Sequence, residues 1–213
     1  MSKYDQALHH EIFVNKEYAF LDNFTKDSKI IYDIGGHIWF FSLYCFGLNP
    51  SLKIHFFEPI PELFDKAKIN LAQHKDKIVF NNSWILDRSW VFEIFFNEEK
   101  TMQTSIFNNN FLNKNGTSRK CNFINLEKYF KDQKLDTIDI LKMDIEWAEF
   151  QVLENLSQEI FSKIKVLVFE YHILHKSHEE RLNKLKQKLI QIYNNFEQIE
   201  SKYTDKMGYF IFS

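Results

Sequence analysis

Four acids in this chain each close a short apolar run that reads as a strand: Asp33, Glu58, Asp144 (with Glu146 close behind) and Glu170. An acid in that place either caps the helix that follows or meets a ligand. Four of them at one edge of a sheet favour the ligand. The first precedes a glycine pair, Asp33-Ile34-Gly35-Gly36, and such a turn sets bare backbone and a helix N-terminus against a nucleotide-like cofactor. Glu58 follows Asp33 by 25 residues, the distance at which an acid accepts hydrogen bonds from ribose hydroxyls. Sites for NAD and for S-adenosylmethionine share this logic. An acid just before the glycines, in the pattern Asp-x-Gly-Gly, suits the second better, because that cofactor has no pyrophosphate and the acid can serve its methionyl ammonium.

These acids need strands to carry them and helices to set their spacing. Lys29 to Asp33 reads as the first strand, followed by the glycine turn and a helix to about Cys45. Lys53 to Glu58 is a second strand, closed by Pro59, and Pro61 opens a helix to about Gln73. Ile78 to Phe80 is a third. Val91 to Phe96 has strand composition, and Asn97 to Lys120 reads as a long polar loop or a short excursion. Asn122 to Phe130 leads into a helix. Alternation then resumes with strand Ile138 to Asp144, helix Ala148 to Leu156, strand Val166 to Glu170, and an amphipathic helix from Glu179 to Tyr193. Two strands, Phe196 to Ser201 and Tyr209 to Phe212, end the chain, and residues 5 to 22 predict one or two helices ahead of it. The expected architecture is α/β: one doubly wound, mostly parallel sheet of about seven strands with an antiparallel C-terminal strand. Residues 1–28 form a helical extension and 29–213 the core of a single domain.

Composition excludes several classes. A net charge of −2 without a long basic run lacks the electrostatic footprint of a nucleic-acid binder. No apolar run approaches the ~20 residues that span a membrane, and the charged N-terminus has no signal-peptide pattern. Cys45 and Cys121 lie far apart without metal-site spacing, and read as reduced core thiols of a cytoplasmic protein. No ligand cluster demands a metal.

The segments Tyr32-Asp33-Ile34-Gly35-Gly36-His37-Ile38-Trp39-Phe40-Phe41-Ser42, Phe57-Glu58-Pro59-Ile60-Pro61, Ile138 to Glu149 and Phe169-Glu170-Tyr171-His172 resemble the FkbM-type methyltransferases. The resemblance runs from about residue 29 to the C-terminus, and the Lys-x-Asp-x-Glu-x-Ala-Glu segment at 142–149 is its most specific part. It implies a class I Rossmann-like fold, S-adenosylmethionine as cofactor and methylation of a hydroxyl on a sugar, a glycan precursor or another small metabolite. It further implies that Asp33, Gly35 and Gly36 hold the methionine end, flanked by His37 and Trp39. Glu58 and Pro59 would serve the ribose, and Asn82 and Ser83 would lie beside the adenine. Asp144, Glu146, Glu170 and His172 would face the methyl and the acceptor, with His172 or Asp144 as the base that removes the hydroxyl proton. A non-catalytic Rossmann-like module binding a nucleotide or a partner protein is the competing reading. An NAD-dependent oxidoreductase is disfavoured by the acid beside Gly35. Nucleic-acid methylation is disfavoured by the charge and by the lack of an Asn-Pro-Pro-Tyr-like motif.

All four tryptophans of the chain (Trp39, Trp84, Trp90 and Trp147) fall where the resembling family has glycine or a small residue. Glycine serves where φ is positive or where backbone approaches a ligand, and an indole permits neither cheaply. Three accounts compete: a site repacked around aromatics, a pocket filled by indoles in a pseudoenzyme, or a gene whose UGA codons encode glycine but are written as tryptophan. The third also accounts for a glycine content of five in 213 residues. UGG codons at these four positions would rule it out.

Overall fold

The computed structural model describes residues 3–37, 39–86, 90–97, 100–105, 117–145, 148–173, 175–201, 204 and 206–213. The chain opens with α1 (Lys3–His9), a π-helical turn (His10–Val14), a 3-10 turn (Ala19–Leu21) and α2 (Asp22–Asp27). Two strand–helix alternations and a third strand follow: β1 (Ile30–Ile34), α3 (Phe40–Leu48), β2 (Lys53–Phe57), α4 (Pro61–Asn70) and β3 (Ile78–Asn81). Pro61 takes the first turn of α4, where a missing N–H costs no hydrogen bond. Next come β4 (Ser83–Leu86), β5 (Trp90–Asn97), β6 (Lys100–Ser105) and β7 (Thr117–Asn125). The second half holds α5 (Leu126–Gln133), β8 (Ile138–Met143), α6 (Glu149–Asn155), α7 (Gln158–Phe161) and β9 (Ile164–His172). It closes with α8 (Lys176–Leu189), β10 (Phe196–Glu200) and β11 (Met207–Phe212).

Seven strands form one sheet in the order β10-β11-β9-β8-β1-β2-β3, parallel throughout except for the antiparallel β11, which pairs with both β9 and β10. The expected mostly parallel α/β sheet is therefore present. Its central strands are apolar on both faces because helices cover both, and every residue of β8 is buried. After β3 the chain returns to lay β8 beside β1. The winding direction thus reverses between β1 and β8, and open α/β sheets bind ligands in the crevice at such a point.

The polar stretch read as a long loop or a short excursion holds β6 and the first residues of β7. β6 pairs antiparallel with β5, and β7 pairs with both β5 and β4, giving a second sheet in the order β4-β7-β5-β6. Ser and Thr tolerate extended backbone well, so ladder pairing rather than an apolar pattern defines these strands. β7 also occupies 122–125, where the lead-in to a helix was expected; α5 starts only at Leu126, capped by the Asn125 side chain, which accepts from Lys128 N at 2.8 Å.

Two of the glycine-like tryptophans can be placed. Trp39 precedes α3 in a left-handed conformation, φ 69°, its side chain buried against Phe40. Trp84 is buried in β4 and stacks on Phe123. Trp147 lies outside the described residues, and so does the Trp90 side chain. A left-handed φ costs an L-residue roughly 1–2 kcal/mol, whereas losing a buried indole costs about 3–5 kcal/mol. Comparing Trp39→Gly with Trp39→Ala removes the second effect, since neither fills the indole's place. The glycine variant should be the more stable by about 1 kcal/mol in urea unfolding. Equal stability would mean that the backbone relaxes out of the left-handed region.

Candidate active site

β1 ends in a sharp turn. Gly35 has φ +76°, and Gly35 N and Gly36 N both donate to Phe57 O, at 3.1 and 2.9 Å. A Cβ on Gly35 would stand 1.7 Å from the carbonyl oxygen of Asp144, and one on Gly36 would stand 2.0 Å from the Phe56 ring. Only glycine lets β1, β2 and the end of β8 approach this closely.

Around the turn opens a cleft. Its floor is Ile34, Gly35, Gly36 and His37; one wall is Phe57, Glu58, Pro59 and Ile60, and another is Ser83, Trp84 and Ile85. Lys142, Asp144 and Ile145 close one end, and Leu8, Ile12 and Tyr18 of the N-terminal segment also line it, with Phe40 and Phe41 of α3.

Glu58 is the buried carboxyl of this cleft. It accepts from His37 N and Ile60 N, both at 2.9 Å, and burial outweighs those bonds to push its pKa up to about 8. Burial likewise pushes the His37 imidazole down to about 4. Asn82 does not line the cleft but braces the wall, its side chain donating to Glu58 O at 2.8 Å and Pro59 O at 3.1 Å. Ser83 Oγ and Trp84 Nε1 are buried in the wall with no hydrogen-bond partner among the described residues. Buried polar atoms are ordinarily satisfied, so a pair of unmatched ones in a cleft wall asks for a ligand.

Lys142 organises the far end. Its ammonium donates to Gly35 O at 2.9 Å and lies 3.5 Å from Asp33 Oδ1 and 3.6 Å from Asp144 Oδ2. Burial opposes its charge, yet the carboxylates of Asp144, Asp33 and Glu170 prevail and hold its pKa above the ordinary lysine value. Asp33 is fully buried below the cleft rather than in its lining, and accepts from Ser42 Oγ at 2.6 Å. Burial raises its pKa against the pull of Lys142.

The structure thus brings Gly35, Gly36, His37, Glu58, Pro59, Ser83 and Asp144 to one cleft. Asp33, Trp39 and Asn82 stand behind it. Glu170 and His172 lie on β9, 3.8 Å apart at Glu170 Oε2 and His172 Nε2, beside the cleft and not in its lining. Glu146 lies outside the described residues. Among the described residues no group of three or more His, Cys, Asp or Glu side chains is placed to hold a metal, and no helix among them is long and apolar enough to cross a membrane. Lys142 escaped the sequence reading, although a lysine inside an otherwise apolar strand must find a partner if buried. Leu8, Ile12 and Tyr18 belong to the N-terminal helices, from which the sequence leads one to expect acceptor contacts, but helical spacing alone does not single these residues out.

The cleft is lined mostly by apolar side chains with a few polar groups, as small-molecule and cofactor sites are. A buried carboxyl that accepts hydrogen bonds, apolar walls suited to a flat ring, and unmatched polar atoms beside them fit an adenosyl group. The profile of the methyltransferase FkbM domain matches residues 33–209. The chain is 21% identical to the 31-O-demethyl-FK506 methyltransferase FkbM of Streptomyces tacrolimicus, over 78% of this chain and 74% of that protein. It is 28% identical to Methyltransferase 1 of Beauveria bassiana, over 78% and 72%. In structure it resembles the methyltransferase FkbM of Methylobacillus flagellatus, with a TM-score of 0.58 at 13% identity, covering 88% of this chain but only 44% of that one. The fold is shared too by the N-terminal domain of human METTL16 in complex with SAH, with a TM-score of 0.53 at 12% identity, covering 94% and 69%. The chain belongs to the FkbM methyltransferase domain family.

Proposed function

We propose that the chain is an S-adenosylmethionine-dependent O-methyltransferase acting on a hydroxyl of a sugar, a glycan precursor or another small metabolite. The observation that carries the cofactor reading is Glu58, a buried carboxyl lining the cleft at the expected distance from the glycine turn. In this reading Glu58 accepts from the ribose hydroxyls, and Ser83 and Trp84 meet the adenine with their unmatched polar atoms. The Gly35–Gly36 backbone and Asp144 take the methionyl end, while Asp33 holds Lys142 and the start of α3 in place. The cofactor supplies an electrophilic methyl on a sulfonium. The protein must align the acceptor oxygen with that methyl and accept the hydroxyl proton; Asp144, in the cleft lining, is placed for the second task. The relative from Streptomyces tacrolimicus, whose name records O-methylation, supports an oxygen acceptor. The acids at this end and the net charge of −2 support an acceptor without a phosphate backbone. We further propose a cytoplasmic location.

Calorimetric titration with S-adenosylmethionine tests the reading. Ribose hydroxyls donate best to an ionised carboxylate, so affinity should rise with pH toward about 8, the value to which burial pushes Glu58. Glu58→Gln keeps the shape and loses the charge, and should weaken binding roughly tenfold or more at pH 8.5, since hydrogen bonds to charged groups are worth about 1.5–3 kcal/mol. A folded wild-type chain that binds nicotinamide cofactor instead, or neither, would remove the proposal.

A further inference from the structure

The N-terminal segment contributes a fifth acid to this end of the sheet, and the proposed function leaves it unused. Glu17 is half-buried, and Tyr209 of β11 donates to its Oε1 at 3.1 Å. Beside it Tyr18 is buried against Phe41 and Tyr209, with ring centroids 4.8 and 5.8 Å away, and lines the cleft. Tyr209 stands opposite Glu170 in the β9–β11 register. The groups that act on the Glu17 carboxyl are Glu11 of its own segment, Tyr209 of β11, and Asp144 and Lys142 at the end of β8. The last two line the cleft. Glu17 immediately precedes Tyr18, a residue of the cleft wall, so its carboxyl stands one residue from the lining.

We propose that Glu17 is a charge-selecting residue of the cleft: ionised, it makes the Asp144 end more negative and favours a cationic sulfonium ligand over the neutral thioether that remains after methyl transfer. This rests on the S-adenosylmethionine reading and adds to it a means of discharging product. Glu17 is half-buried, where a charge is screened less than at an open surface. Burial first, and then Glu11, push its pKa up to about 7, so the selection turns on within the physiological range.

The test is calorimetric binding of S-adenosylmethionine and of S-adenosylhomocysteine to the full chain at pH 6 and pH 8.5. Both ligands carry the same ribose, so the titration of Glu58 cancels in the ratio of their affinities. In the wild-type chain the preference for the sulfonium should grow about three- to tenfold between the two pH values, the size expected of one partly screened charge. Glu17→Gln keeps an acceptor for Tyr209 and carries the same titrations of the ligands themselves, so the wild-type gain should exceed its own by that factor. Tyr209→Phe removes the donor that stabilises the carboxylate, and should move the midpoint of the change to higher pH. A ratio that changes equally in wild type and Glu17→Gln overturns the proposal while leaving the cofactor reading intact. Absence of binding by both ligands to the folded chain overturns both.

Discussion

Gly35→Ala is expected to abolish cofactor binding and to cost about 3 kcal/mol or more of stability. Two independent effects add here. At φ +76° an alanine pays the left-handed penalty, about 1–2 kcal/mol. Its Cβ would also lie 1.7 Å from Asp144 O and 3.2 Å from Ile145 Cγ2, so the ends of β1 and β8 must part. Overpacking of that kind costs about 1–3 kcal/mol even where side chains can yield, and a backbone carbonyl yields less. Parting these strand ends also pulls Gly35 O away from the Lys142 ammonium, which it meets at 2.9 Å. Gly47 supplies the control. It lies on the exposed side of α3, and a Cβ there would meet nothing within 4 Å. Gly47→Ala should be neutral or stabilise by up to about 1 kcal/mol through helix propensity. Urea midpoints and titration with S-adenosylmethionine on both variants settle the matter. A Gly35→Ala chain with wild-type midpoint and affinity would show that the turn is looser than this geometry requires.

The difference between these two glycines marks how far the sequence could be read. That Gly35 belongs to a strand–turn–helix joint follows from the apolar run before it and the acid at its start. The sheet was legible for the same reason: the parallel central strands are buried on both faces, and their apolar runs stand out. The four-stranded second sheet was not legible, because Ser, Thr, Asn and Lys in β6 and β7 resemble a loop until a partner strand is known. In the site, Glu58 could be found from spacing, and the structure places it in the cleft. That Glu170 and His172 face the acceptor is what the family resemblance implies. Position along a strand does not fix which residues of neighbouring elements come between, and here Tyr18 of the N-terminal segment lines the cleft instead. Contacts from the N-terminal helices are an expectation of the sequence, but no local pattern announces which of their residues reach a wall 120 residues or more away in sequence from Asp144. Trp39 is an intermediate case: its residue type argues against a left-handed turn, and its observed φ of 69° is that of the glycine the surrounding motif leads one to expect.

Lys142→Met should be nearly as damaging as Gly35→Ala, for an electrostatic reason. Methionine matches the lysine stem in length and leaves little cavity, so the change removes mainly the charge. What remains is Asp33, fully buried, with Asp144 and Glu170 near it and no cation holding them. Breaking a buried pair by removing one partner costs about 3–5 kcal/mol. Asp33 can lessen this by taking up a proton, which gives the loss a pH dependence of known sign. Burial already raises its folded-state pKa, and without Lys142 it must rise further. The folded variant then keeps a proton that the unfolded chain has released, so its stability falls as pH rises above the ordinary aspartate range. The deficit against wild type should therefore be larger at pH 8 than at pH 5. Asp33→Asn supplies the neutral partner in advance and keeps an acceptor for Ser42, so the double variant Asp33→Asn/Lys142→Met should recover about 1–3 kcal/mol relative to the sum of the single changes. Additive losses with no dependence on pH would mean that Lys142 stabilises the site chiefly through its hydrogen bond to Gly35 O, and that the charge of Asp33 is neutralised in the fold by some other means.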